Sequence, residues 1–200
     1  MLDRAFRNTF RSYSTLFLLV LVVTLPLHLI YSYAFRNVIA TQEIHPQIRQ
    51  FPNYRQVRSV GPKQLTHATV AFWGLTALEL VLLPAFVKAT RRVIEIEQDG
   101  GVSSVRDGWD AAFRRSEESF QFRRHALPAV VIGGIVAFVL GWLVEQVGLT
   151  LAGFGSVDYA WVLVGSVQAL ARAAAAPFAL TAIVMARNAK ARPLGTPKLY

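Results

Sequence analysis

The chain contains no cysteine, which removes disulfides, thiolate metal sites, iron–sulfur ligation and thiol nucleophiles, and leaves the redox compartment unread. Charge is also scarce. Charged residues are 16% of the chain and apolar ones 54%, whereas soluble domains are roughly one quarter charged. No G-x-S-x-G, H-E-x-x-H, P-loop or dinucleotide fingerprint occurs, and Gly133-Gly134 falls inside an apolar run where it cannot cradle phosphate. Nothing here points to an enzyme.

What is present is apolar sequence in four windows, each near the ~20 residues that cross a hydrocarbon core. They are residues 15–35, 68–87, 126–144 and 159–186, bounded by Arg11 and Arg36, His67 and Lys88, a last boundary at Glu145, and Asp158 and Arg187. The uncharged run from Ser12 to Phe35 is 24 residues, too long for the apolar core of a signal peptide, so a retained helix is expected despite the arginines before it. The expected fold is all-α: an integral membrane four-helix bundle in one domain over residues 1–200.

Lys and Arg number three before the first window, eight in the 88–125 connection and four in the C-terminal tail; the 36–67 connection has five and 145–158 none. Fifteen against five places both termini and the 88–125 connection on the cytoplasmic side, in the inner membrane of a bacterium. The +9 net charge therefore sits at the ends of spans, where anionic lipid explains it and nucleic acid is not required.

Phe6, Phe10, Tyr13 and Phe17 recur at helical spacing opposite Arg4, Arg7 and Arg11, the pattern of a segment lying in the headgroup layer. Past Lys88 the second helix should continue through Ile96 and stop at Asp99-Gly100-Gly101. Ser104 and Asp107 then have capping-box spacing. An amphipathic helix over about 104–120 follows, with Val105, Trp109, Phe113 and Phe120 on its apolar face, expected to lie on the membrane or dock on a partner. The 36–67 connection, with Pro46, Pro52 and Pro62, reads as irregular or short-helical.

Polar residues inside spans are costly, and functional by default. Glu79 and Arg172 lie near the middle of the second and fourth windows, where they could pair and lower each other's cost of burial. A clasp between helices or a proton or substrate pathway would both use them, and only Gln168 is near enough in sequence to extend a relay. His28, two residues after Pro26, could ligate haem or a chlorophyll magnesium, or hydrogen-bond across helices. The other histidines, His45, His67 and His125, form no metal spacing. Gly133, Ala137 and Gly141 form one small-residue ridge and Gly165, Ala169 and Ala173 another, both suited to close helix packing.

The second window running into Arg91-Arg92, then Asp99-Gly100-Gly101-Val102-Ser103, then the stretch from Trp109 to Arg115, resembles the multi-pass membrane domain associated with bacterial glycerophosphodiester phosphodiesterases and its uncharacterised relatives. Pro177-Phe178 through Ala186-Arg187-Asn188 is similar to the last span and basic exit of that group. The resemblance covers about half of the chain. It implies a membrane domain; those relatives commonly have more spans, and with the hydrolase domain missing no activity carries over. Two functions are therefore expected: a non-catalytic accessory or scaffolding subunit of a larger membrane complex, respiratory or photosynthetic, held by other membrane subunits; or a small transporter, channel or lipid-handling protein acting alone or as a homo-oligomer.

Overall fold

The computed structural model describes residues 9–42, 61–113, 127–152 and 159–188. These residues are helical, with no strand among them. The elements are α1 (Tyr13–Ala34), α2 (Arg36–Gln42), α3 (Pro62–Gln98), α4 (Val105–Phe113), α5 (Leu127–Ala152) and α6 (Ala160–Asn188). Four of them, α1, α3, α5 and α6, are long and apolar enough to cross a membrane. The chain is a multi-pass membrane protein.

Local chemistry sets the helix ends. Gly61 caps α3 and Pro62 occupies its first turn, where a missing N–H costs nothing. At the other end Gly100 takes φ +83°, the Gly101 N–H reaches the Ile96 carbonyl at 2.9 Å and the Gly100 N–H reaches Glu97 at 3.2 Å. That pair of bonds is a Schellman stop, and it falls at the expected Asp99-Gly100-Gly101. Ser104 then caps α4: its hydroxyl donates to Asp107 Oδ2 at 2.6 Å and accepts from the Asp107 N–H at 3.2 Å. Pro26, Pro84 and Pro177 sit inside α1, α3 and α6, as spanning helices tolerate.

Helix α6 is central, packed on α1 along one face and on α5 along another. Helix α3 packs about equally on α1 and α6, and α4 folds back onto α3. The core joins Leu16, Leu19 and Val20 of α1 to Phe86, Val93 and Ile94 of α3, with Leu180 and Val184 of α6.

Two expectations change and one is narrowed. Helix α5 does not end at Glu145 but runs to Ala152. A single glutamate is a good helix former, and Val147, Leu149 and Leu151 continue the apolar sequence beyond it. Second, of the two forms expected for the 36–67 connection, its described ends take the helical one: α2 and the first turns of α3 occupy them, and Ile39 of α2 packs on Ala160 and Val164. Third, α4 docks inward. Val105 and Trp109 pack against the chain's own core, Trp109 meets Phe86 edge-on at 5.4 Å, and Gly108 lies so close to Leu19 that a Cβ there would come within 2.6 Å of its Cδ1. Only Phe113, stacked on Trp109 and 80% exposed, keeps the outward role expected of this face. Phe120 lies outside the described residues, as do Arg4, Phe6 and Arg7.

The aromatic stripe at the start of α1 meets α6 in part, Phe10 staying 68% exposed. Phe10 and Tyr13 contact Phe178 of α6 at ring distances of 5.8 and 6.1 Å, and the Tyr13 hydroxyl donates to the Ala174 carbonyl at 3.1 Å. Beside it, Glu97 at the end of α3 accepts from Ser12 at 2.5 Å and from Ser103 at 2.6 Å, tying the start of α1 to both flanks of the Schellman turn.

Candidate functional site: an intramembrane polar cluster and its crevice

Antiparallel packing of α1 on α3 brings His28 beside Glu79, with His28 Nε2 2.9 Å from Glu79 Oε1. On the opposite side of the ring, Nδ1 stands 3.4 Å from Gln168 Oε1 on α6. One turn along α6, Arg172 Nε lies 3.7 Å from Glu79 Oε2, an ion-pair distance longer than a hydrogen bond. The residues singled out from sequence thus converge: His28 bridges α3 and α6, and Glu79 stands between His28 and Arg172. Glu79 makes its shorter contact to the histidine, not to the arginine.

The histidine environment constrains the protons. The partners fix which ring nitrogen carries a proton: with Nδ1–H donating to Gln168 Oε1, Nε2 accepts from the Glu79 carboxyl; with Nε2–H donating to Glu79, either Nδ1 is protonated as well or the Gln168 amide is turned so that its NH₂ donates to Nδ1. In each arrangement both ring nitrogens are engaged and the side chain is 2% exposed. Axial ligation of haem or of a chlorophyll magnesium would have to break one of these contacts, so the geometry does not favour it. Among the described residues, no three His, Asp or Glu side chains group to hold a metal.

Burial grades across the cluster. Glu79 is 16% exposed, but Arg172 is 49% exposed, facing a crevice lined by residues of α1, α3, α5 and α6. The crevice has two halves that share Ala137, Phe138, Arg172 and Ala175. One half, about 220 Å³, is polar where His28, Glu145, Gln168 and Arg172 reach it. The other, about 360 Å³, is lined by apolar side chains including Leu80, Leu83, Phe86 and Leu180, with Glu79 and Arg172 at its edge.

Glu145 was missed as a site residue because a charge at the end of an apolar run reads as a boundary. Its position was nonetheless legible: it is the next four-residue step after Gly133, Ala137 and Gly141. A Cβ on Gly141 would lie 3.2 Å from the Ala175 Cβ, and Gly148 faces Val167, so Glu145 between them stands level with the 168–172 stretch of α6.

The two small-residue ridges do not face each other. Gly133 and Gly141 approach Ala182 and Ala175 of α6, while a Cβ on Gly165 would meet Ser32 Oγ at 2.8 Å and the His28 carbonyl at 3.1 Å, both on α1. Ala169 and Ala173 are fully buried. Close approach at Gly165 is what brings His28 within reach of Gln168. Compared with known proteins, the chain matches no protein-family model, no curated protein and no solved structure.

Proposed function

We propose that this chain is a non-catalytic, lipid-handling membrane protein whose crevice between α3 and α5 receives an amphiphile from the bilayer. The observation that carries the reading is Arg172, half exposed midway along α6 at the junction of a polar and an apolar cavity. Ionisable side chains at such a depth are retained where they serve a bound group or a pathway, and concave, mostly apolar sites with a few polar groups are where small molecules bind. The accessory-subunit reading loses some of its support, since the ridges and, among the described residues of the α4 apolar face, Val105 and Trp109 are consumed inside the chain.

The basic residues around Arg11, the 88–125 connection and the C-terminal tail favour both termini in the cytoplasm of a bacterial inner membrane, with anionic lipids along that rim. The polar half of the crevice then points toward the opposite leaflet, and the apolar half toward the cytoplasmic one.

The test is to purify the chain in mild detergent and identify what travels with it. Lipid retained through extensive washing, and lost when Ala137→Trp or Ala176→Phe fills the crevice, supports the reading. A stable, stoichiometric set of protein partners, with lipid content unchanged by these substitutions, would restore the subunit function.

A further inference from the structure

Arg172 and Glu145 reach the same polar cavity, on α6 and α5 respectively. The Arg172 guanidinium has its Nε 3.7 Å from Glu79, too far for a hydrogen bond, and meets no acceptor within hydrogen-bond distance among the described residues. Glu145 likewise meets no donor among them. A cation and an anion therefore line one cavity, each with its hydrogen-bonding capacity unspent, at a depth where leaving such groups unmatched is costly.

From this we infer that the crevice binds a zwitterionic lipid whose head carries a phosphate and a primary ammonium, the phosphate on Arg172 and the ammonium on Glu145. The inference deepens the lipid-handling reading and rests on it. A purely anionic head would satisfy the guanidinium but stand beside the Glu145 carboxylate, and a purely cationic head would do the reverse. Only a head bearing both charges matches both walls. A guanidinium fork suits phosphate oxygens in two places, and an ammonium supplies the N–H donors that a carboxylate accepts. His28 and Glu79 are positioning residues here, because Glu79 holds one side of Arg172 while His28 holds Glu79.

The rest of the crevice fits the rest of such a molecule. Below the shared Ala137–Arg172 level the walls turn to Leu80, Leu83, Phe86 and Leu180, an apolar lining for an acyl chain. Polar half and apolar half follow one another along α6, head before tail when read from the Gln168 end.

The experiment uses the full chain, delipidated in detergent and titrated with phosphatidylethanolamine, phosphatidylcholine and phosphatidylglycerol of identical acyl composition, with bound lipid counted by native mass spectrometry. The ethanolamine head should be preferred about tenfold over the other two, the size of one charge-assisted hydrogen bond, since choline has no N–H to donate and glycerol no cation. Arg172→Gln and Glu145→Gln should each abolish the preference while leaving acyl-dependent retention, and Glu145→Gln keeps the test open if the arginine variant does not fold. Equal retention of all three lipids by the unaltered chain would overturn the head-group assignment and leave the lipid-handling reading standing. Retention of none of them would remove both.

Discussion

His28 and Glu79 meet at 2.9 Å, ring nitrogen to carboxylate oxygen, and this contact joins α1 to α3 at the same level as Arg172 on α6. Interhelical hydrogen bonds in membranes average about 0.6 kcal/mol and reach about 1.7 kcal/mol. Replacing His28 with alanine removes its contacts to both Glu79 and Gln168 and leaves the Glu79 carboxyl without its nearest partner. The expected loss is about 1–2 kcal/mol, read as a lower midpoint of thermal unfolding in mild detergent.

Glu79 faces both His28 and Arg172, so its removal has a cost that depends on what remains. Glu79→Gln leaves Arg172 as a cation facing no carboxylate on α3, the situation in which breaking one side of a pair is worse than removing both. The double change Glu79→Gln with Arg172→Gln is therefore expected to assemble better than Glu79→Gln alone. Parallel measurement of folded yield and thermal midpoint gives the coupling between the sites; equal damage from single and double variants would show that the arginine does not depend on Glu79.

Close approach of α1 and α6 rests on one missing methyl group. A Cβ on Gly165 would stand 3.1 Å from the His28 carbonyl, which is backbone and can yield only if the helices separate, whereas nothing lies within 4 Å of a Cβ on Gly134. Gly165→Ala is expected to destabilise by about 1–3 kcal/mol, the usual cost of overpacking, and to loosen the contact from His28 to Gln168. Gly134→Ala should be neutral or slightly stabilising, since alanine is the better helix former. Thermal midpoints of the two variants side by side decide it.

Asp107 is fully exposed, yet its carboxyl is held below the ordinary aspartate range, first by the Ser104 hydroxyl and then by the Ser104 N–H, with smaller help from Arg92 and Arg106. A carboxylate lowered in the folded state contributes its stabilisation above its unfolded value and loses it as pH falls through the folded one. The start of α4 should therefore stay capped from neutral pH down into the acid range and fray only below the usual aspartate titration. Hydrogen exchange of the amides at the start of α4 against pH checks this. In Asp107→Asn the acid step should disappear.

Much of this architecture was legible because it depends on one-dimensional signals. Apolar runs bounded by Arg11, Arg36, Lys88 and Arg187 mark helices wherever they pack, and the Asp99-Gly100-Gly101 stop works through backbone geometry that only neighbouring residues set. Glu79, Arg172 and His28 stood out individually because their polarity contradicts their surroundings. What could not be read is azimuth. Hydropathy places a residue along a helix axis but not around it, so the contact from His28 to Glu79 and the turn of Gly165 toward α1 rather than α5 follow from how the helices pack. The same limit hid α4: an apolar face on a short helix looks alike whether lipid, a partner or the chain's own Leu19 and Phe86 covers it.

The absence of cysteine gives the proposed orientation a direct test, because single introduced thiols report without background. Val102 is 95% exposed in the turn between α3 and α4, and Gln64 is exposed in the first turn of α3, at the opposite end of that helix. The Lys and Arg distribution expects these positions on opposite faces of the membrane, with Val102 cytoplasmic. In intact cells a membrane-impermeant maleimide should therefore label Gln64→Cys and spare Val102→Cys until the membrane is opened. A third thiol in place of Ala112 sharpens the result: buried where α4 meets the core, it should resist even permeant reagents if α4 stays docked. Labelling of Val102→Cys from outside would invert the topology, and with it the leaflet that the polar half of the crevice faces.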